Sequence, residues 1–231
     1  HKLCALDAKT GKENWSFKTG ARIYSEPAVV NGVVYVGSND HYFYAVDAKT
    51  GNKIWSFETA YIILSSPAVI NGVVYVGAEA TKLYALNAKT GKEIWSFETG
   101  GDIVSSPAVV NEVVYVGSCN HYLYAVDAKT GKEIWSFETG NRIYSSPAVA
   151  TGVVYVGSDD HYFYAVDAKT GNKIWSFETG NEVNSSPAVT EDSVYLGTRD
   201  KKLYALNAKT GKKIWSFEAK DEIWCSPVVA D

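Results

Sequence analysis

The sequence contains no methionine, only three cysteines, four histidines and six prolines, and no long apolar run. A membrane-spanning helix needs roughly 18 or more consecutive apolar residues, so none is expected. No basic-then-apolar N-terminal segment reads as a signal peptide. The missing methionine, with His1 falling in mid-repeat, reads as a mature product or a piece of something longer. Cys4, Cys119 and Cys225 are odd in number and far apart, with no CxxC or Cys–His spacing for a metal, and they leave the redox compartment open. Charge of one sign is lacking too. Lys and Arg number 22 against 26 Asp and Glu, with no basic stripe, so no nucleic-acid partner is expected. With 46% hydrophobic and 21% charged residues, the chain has the composition of a packed globular protein rather than a disordered one.

What is present is repetition, and repeats are read before local structure. Residues 21–60, 61–100, 101–140, 141–180 and 181–220 are five units of 40 residues. Residues 1–20 are the second half of a unit and 221–231 the first part of another, so the chain reads as one domain over 1–231. The units at 21–60 and 141–180 are identical at 34 of 40 positions, which suggests recent amplification or design. Each unit reads as four strands, here 25–30, 33–37, 42–46 and 53–57, called A to D. They are rich in β-branched and aromatic residues and bounded by turn chemistry. Asn31-Gly32 is a two-residue hairpin signal, and Gly51 closes the turn after strand C. Nothing has helical periodicity.

The strands are apolar on both faces, as Val33 and Tyr35 against Val34 and Val36 show. A sheet covered on one side alternates apolar with polar, whereas a blade between two neighbours needs two apolar faces. The expected fold is therefore all-β, a β-propeller of four-stranded antiparallel blades, with a β-solenoid as the competing architecture. Joining strand A of the C-terminal piece to strands C and D of the N-terminal piece gives six blades, the closing one built from both termini. That blade lacks the nine residues matching 32–40, which leaves it open to completion by other residues or to self-association.

The run Ala45-Val46-Asp47-Ala48-Lys49-Thr50-Gly51-Asn52-Lys53-Ile54-Trp55 resembles the AxDxxTGxxxW signature of PQQ-like (quinoprotein-type) propeller repeats. It occurs six times, ending at Trp15, Trp55, Trp95, Trp135, Trp175 and Trp215. The resemblance implies that each Trp docks between adjacent blades, near the small Ala and Gly of its motif. Gly51, Gly91, Gly131, Gly171 and Gly211 are accordingly assigned structural roles. Asp47 is read as an Asx-type cap rather than a calcium ligand, because Asn87 and Asn207 replace it in two copies. Dehydrogenases of the superfamily use eight blades, a quinone, calcium and often a vicinal cysteine pair, which this chain lacks. The resemblance thus points to the non-catalytic scaffold members, with no cofactor and an extracytoplasmic location. A fragment of a quinone-dependent dehydrogenase and an amplified or designed propeller without ligand are the alternatives.

Departures from repetition mark the expected binding face. One variable stretch precedes strand A and includes Arg22, Tyr24, Leu64, Asp102, Arg142, Tyr144, Glu182, Asn184, Glu222 and Trp224. The other is the B–C connection: Asn39-Asp40-His41, Glu79-Ala80-Thr81, Cys119-Asn120-His121, Asp159-Asp160-His161 and Arg199-Asp200-Lys201. In an antiparallel meander both connections emerge on one face, so a protein or extended ligand is expected there, with aromatic anchors. The four histidines share one repeat position at the start of strand C. They lie about 10 Å from their counterparts in stacked sheets, against ligand distances of ~2 Å for zinc, and no metal is assigned.

Overall fold

The computed structural model of the chain describes residues 1–79 and 81–229; Ala80, Ala230 and Asp231 lie outside the described residues. The chain divides into two compact units, His1–Val104 and Ser105–Asp231. In the first, β1 (Lys2–Leu6) and β2 (Glu13–Lys18) form a two-stranded sheet. Two four-stranded antiparallel meanders follow: β3 (Ala28–Val30), β4 (Val33–Gly37), β5 (Tyr42–Asp47) and β6 (Lys53–Glu58), then β7 (Ala68–Ile70), β8 (Val73–Gly77), β9 (Lys82–Asn87) and β10 (Glu93–Glu98).

The second unit holds three more meanders. They are β11 (Ala108–Val110), β12 (Val113–Gly117), β13 (Tyr122–Asp127) and β14 (Glu133–Glu138); β15 (Ala148–Ala150), β16 (Val153–Gly157), β17 (Tyr162–Asp167) and β18 (Lys173–Glu178); and β19 (Ala188–Val189), β20 (Ser193–Gly197), β21 (Lys202–Asn207) and β22 (Lys213–Glu218). The described part of the C-terminal piece, 221–229, forms no strand. The fold class is all-β, and the sheets are blades of the β-propeller kind.

Local chemistry explains the shape of a blade. Asn31 and Gly32 take φ of 51° and 78°, the two positive values that a type I′ turn requires. The first strand is shorter than its apolar run, starting at Ala28 rather than at residue 25. Pro27 has no N–H to offer a ladder, and the rung is replaced by Ser25, whose Oγ accepts a 3.2 Å bond from Gly37 N. Between β5 and β6 the register slips, with Ala45 opposite Trp55 but Val46 opposite Lys53. This bulge turns Ile54 outward to solvent and Trp55 inward, so that two consecutive apolar residues serve opposite surroundings.

Within each unit, neighbouring sheets pack face to face. One core joins Tyr35, Phe43 and Trp55 of one sheet to Val74, Val76, Tyr84 and Leu86 of the next. A second joins Tyr115, Leu123 and Trp135 to Val154, Val156 and Tyr164. A third joins Tyr155 and Phe163 to Val194, Leu196, Tyr204 and Leu206. The inner strands β4, β8, β12 and β16 are buried at every position but the first, as two-sided packing demands.

Each packed pair is locked by the same seat. Trp15 lies on Gly51, where a Cβ would stand 2.8 Å from the indole, and its Nε1 donates 2.9 Å to Ala48 O. Trp55 repeats this on Gly91 and Ala88, Trp135 on Gly171 and Ala168, and Trp175 on Gly211 and Ala208. Gly51 also has φ of 74°, so both conformation and space require glycine there.

Candidate functional site

The two variable stretches are joined by backbone hydrogen bonds in four blades. Asn39 N donates to Arg22 O at 2.9 Å, Glu79 N to Ile62 O, Asp159 N to Arg142 O and Arg199 N to Glu182 O. The stretch entering the next sheet is held as well, since Ile63 N donates to Ser38 O and Ile143 N to Ser118 O.

One constant residue pins each variable stretch. Ile63, Ile103, Ile143 and Val183 are fully buried, each against the glycine that ends the preceding inner strand. A Cβ on Gly37, Gly77, Gly117 or Gly157 would run into these side chains far inside van der Waals contact. Sequence reasoning missed this interlock, though its signal was present: an invariant glycine after the apolar run of strand B, and a β-branched residue inside an otherwise variable segment.

The B–C connection is less free than its variability suggests. Asp40 Oδ2 accepts from Gly20 N at 2.6 Å and from Tyr44 Oη at 2.9 Å, while Oδ1 accepts from Tyr42 N. Burial first, and then the bond to Asp40, push the Tyr44 phenol far above its ordinary range. Asp160 and Asp200 repeat the brace with Gly140 and Gly180. His41, Thr81, His121, His161 and Lys201 all take φ between 62° and 79°, and the carbonyls of the first four accept from the threonine that follows strand D. The shared histidine position is therefore a backbone corner. Among the described residues no group of three or more His, Cys, Asp or Glu is placed to hold a metal.

That leaves the first residue of the B–C connection, and three times in the second unit it meets the fourth residue of the next variable stretch. Asn184 Nδ2 donates to Asp159 Oδ1 at 2.6 Å, and burial raises the Asp159 pKa although this bond opposes the rise. Tyr144 hydrogen-bonds Cys119 and receives Arg142 Nη1 at 3.2 Å; burial raises its phenol pKa. Arg199 lies 3.2 Å from both Glu182 and Glu222 and stacks 4.4 Å from the Trp224 ring centroid. In the first unit Arg22 Nη1 donates to Tyr24 Oη at 3.0 Å, and Leu64 stands opposite Asn39 in the repeat, whose buried Oδ1 has no hydrogen-bond partner. Tyr61, Glu79, Thr81 and Asp102 line a concavity of ≈ 450 Å³. Burial, and secondarily Asp102, raise the Glu79 pKa.

The expected binding residues thus fall into neighbouring pairs inside each unit: Arg22 with Tyr24, Arg142 with Tyr144, and Glu182 and Glu222 on either side of Arg199. The sheets and their seats define a class, the β-propeller built from four-stranded repeats. The profile of the family described as outer membrane protein assembly factor BamB matches residues 1–65, 59–142 and 119–223, and the chain belongs to that family. Among curated proteins none matches the sequence.

Solved structures do match. BamB from Moraxella catarrhalis superposes with a TM-score of 0.80 at 22% identity, over 90% of this chain and 65% of that one. Quinohemoprotein alcohol dehydrogenase from Comamonas testosteroni gives 0.75 at 21%, over 86% and 43%. The computationally designed Ika8 protein gives 0.83 at 17%, over 94% and 68%. The chain therefore spans 65% of that BamB and less than half of the dehydrogenase.

Proposed function

We propose that this chain is a non-catalytic binding propeller that recruits a protein or an extended ligand through its variable stretches. The observation that supports this most is the division of labour within them. A buried Ile or Val, a glycine seat and an Asp brace fix the backbone, while the adjacent positions carry Arg–Tyr, Asp–Asn, Cys–Tyr and Arg–Glu–Trp combinations. A constant frame presenting changing side chains is the arrangement in which loops serve recognition. Arg22, Tyr24, Asp102, Arg142, Tyr144, Glu182, Asn184, Glu222 and Trp224, with Leu64, are the residues assigned to it, and the aromatic members are the proposed anchors. Membership of an assembly-factor family favours a protein partner. The six repeated Trp residues and their glycines are assigned to holding the blades, a tryptophan docking role.

The test is capture and quantification of partners with wild-type protein and with a variant carrying Arg22→Glu, Arg142→Glu and Glu182→Lys. Loss of binding at unchanged melting temperature is the expected result; unchanged binding ends the assignment. The alternative, dehydrogenase chemistry, needs a metal donor set, and the described residues converge on none. Dye-linked oxidation of an alcohol after addition of the quinone and calcium would establish it instead.

A further inference from the structure

The turns at the other ends of the strands enclose a second space in the first unit. Between the sheet β3–β6 and the sheet β7–β10 lies a cavity of ≈ 520 Å³. That is within the range of about 300–1,000 Å³ usual for ligand sites. Val33 and Ile54 supply apolar lining, Asn31, Asn71 and Asn87 supply three carboxamides, and Lys89 supplies the one charge of the described lining.

Local chemistry leaves these polar groups uncommitted. Asn31 and Asn71 hold φ of 51° and 52° in their turns, and among the described residues their side chains make no hydrogen bond. Asn87 Oδ1 accepts from Lys89 N at 3.1 Å, from Thr90 N at 2.9 Å and from Thr90 Oγ1 at 3.1 Å. Its Nδ2 finds no acceptor among the described residues, and both protons are free to be given. In the preceding sheet Asp47 makes the same bonds through Oδ1, and its second oxygen shares the carboxylate charge instead. Exchanging Asp for Asn turns an acceptor into a donor and removes the carboxylate next to the lysine.

The second unit shows that the turns do not require this combination. In one pair of sheets the matching residues are Asn111, Thr151, Asp167 and Lys169, and the lysine acts on the Asp167 carboxyl. In the next pair Asn207 recurs, but Lys209 lies 4.0 Å from Asp192. Thr151 holds φ of 49° where Asn31 and Asn71 stand, so the backbone does not need an amide there. Lys89, by contrast, has no carboxylate partner among the described residues.

We propose that this cavity binds an acidic peptide segment. A carboxamide matches a peptide group, since each offers one acceptor oxygen and N–H donors. Asn31 and Asn71 take the peptide backbone, while Asn87 Nδ2 and Lys89 Nζ take a Glu or Asp carboxylate, a charge-assisted and hence strong pairing. Val33 and Ile54 carry a neighbouring aliphatic side chain; Ile54 is the residue that the strand bulge turns outward, 47% exposed. The site lies on the A–B and C–D turns, so it stands or falls independently of the variable stretches.

The experiment titrates the whole chain with acetyl-Gly-Ile-Glu-Gly-amide, followed by NMR of the side-chain amides and by calorimetry. The Asn31, Asn71 and Asn87 amide signals are expected to shift. The same peptide with Gln in place of Glu, and sodium acetate, are each expected to bind at least about tenfold more weakly, since each lacks one half of the match. Asn87→Asp keeps the bonds to Thr90 and returns the carboxylate. It is expected to lose the Glu peptide at unchanged melting temperature, because like charges then meet. Asn31→Thr with Asn71→Thr, a residue that the turn accepts at Thr151, is expected to weaken binding about tenfold. The proposal is overturned by a Glu peptide that leaves the three amides unmoved, that binds Asn87→Asp as well as wild type, or that the Gln peptide equals. Acetate binding as tightly as the peptide also overturns it, reducing the cavity to a site for small anions.

Discussion

Glu112 occupies a turn position where Gly32, Gly72 and Gly152 stand in other blades, and it is held at φ of 62°. A side chain in that region costs on the order of 1 kcal/mol relative to glycine. Glu112→Gly is therefore expected to stabilise the protein by roughly 0.5–1 kcal/mol in denaturant titration. Leu64 is a second local mismatch. In the matching pair Asn184 gives an amide proton to Asp159, but Leu64 has none to give Asn39, whose Oδ1 is left buried without a partner. Leu64→Asn should recover up to about 1 kcal/mol, the ordinary worth of a neutral hydrogen bond. Both residues were visible in the sequence as departures from the repeat. Only Glu112 could be interpreted there, because turn chemistry is local, whereas the Asn184–Asp159 bond with which positions 64 and 39 are compared is made by the packing of successive sheets.

At the scale of the element, the strands were legible almost residue by residue: in the unit at 21–60 three of the four start at the expected residues 33, 42 and 53, and the inner strand also ends as expected. The first strand was overextended because its apolar pattern hid the serine that replaces a ladder rung at Pro27. The bulge before Trp55 was not legible either, since period-two alternation cannot show which of two adjacent apolar residues is extra. That bulge decides the energetics of the element, for it aims the indole at its seat. Trp55→Ala should cost about 3–5 kcal/mol, read as a lower denaturant midpoint, because it empties a packed site and removes one of the two hydrogen bonds to the Ala88 carbonyl. The two variable stretches lie side by side, as an antiparallel meander predicts, but two of the three residues in the connections at 39–41, 159–161 and 199–201 are engaged in brace and corner. Connectivity reveals where a loop emerges; it does not reveal which of its residues the backbone needs.

Across the molecule the same turn recurs with one chemical variation. Asp7, Asp47, Asp127 and Asp167 each accept from the threonine three residues on, hydroxyl and N–H alike, and these bonds hold the carboxyls below their ordinary pKa. A carboxyl depressed in the folded state contributes stability that is complete above its unfolded pKa and is lost as pH falls through the folded value. Melting temperature should therefore decline on acidification below the usual carboxylate range. Asn87 and Asn207 make the same bonds without a charge. Replacing all four aspartates by asparagine is expected to flatten that acid limb while leaving the melting temperature at neutral pH little changed.

The uniformity of the seats has a consequence for how the chain finds its fold. When every indole fits every glycine, a collapsing chain gains nearly the same contact energy from a wrong neighbour as from the right one. Correct order is then imposed by chain connectivity and by the few idiosyncratic clasps, such as Arg199 with Trp224. Refolding should accordingly become less faithful as protein concentration rises, when strangers compete on equal terms with kin.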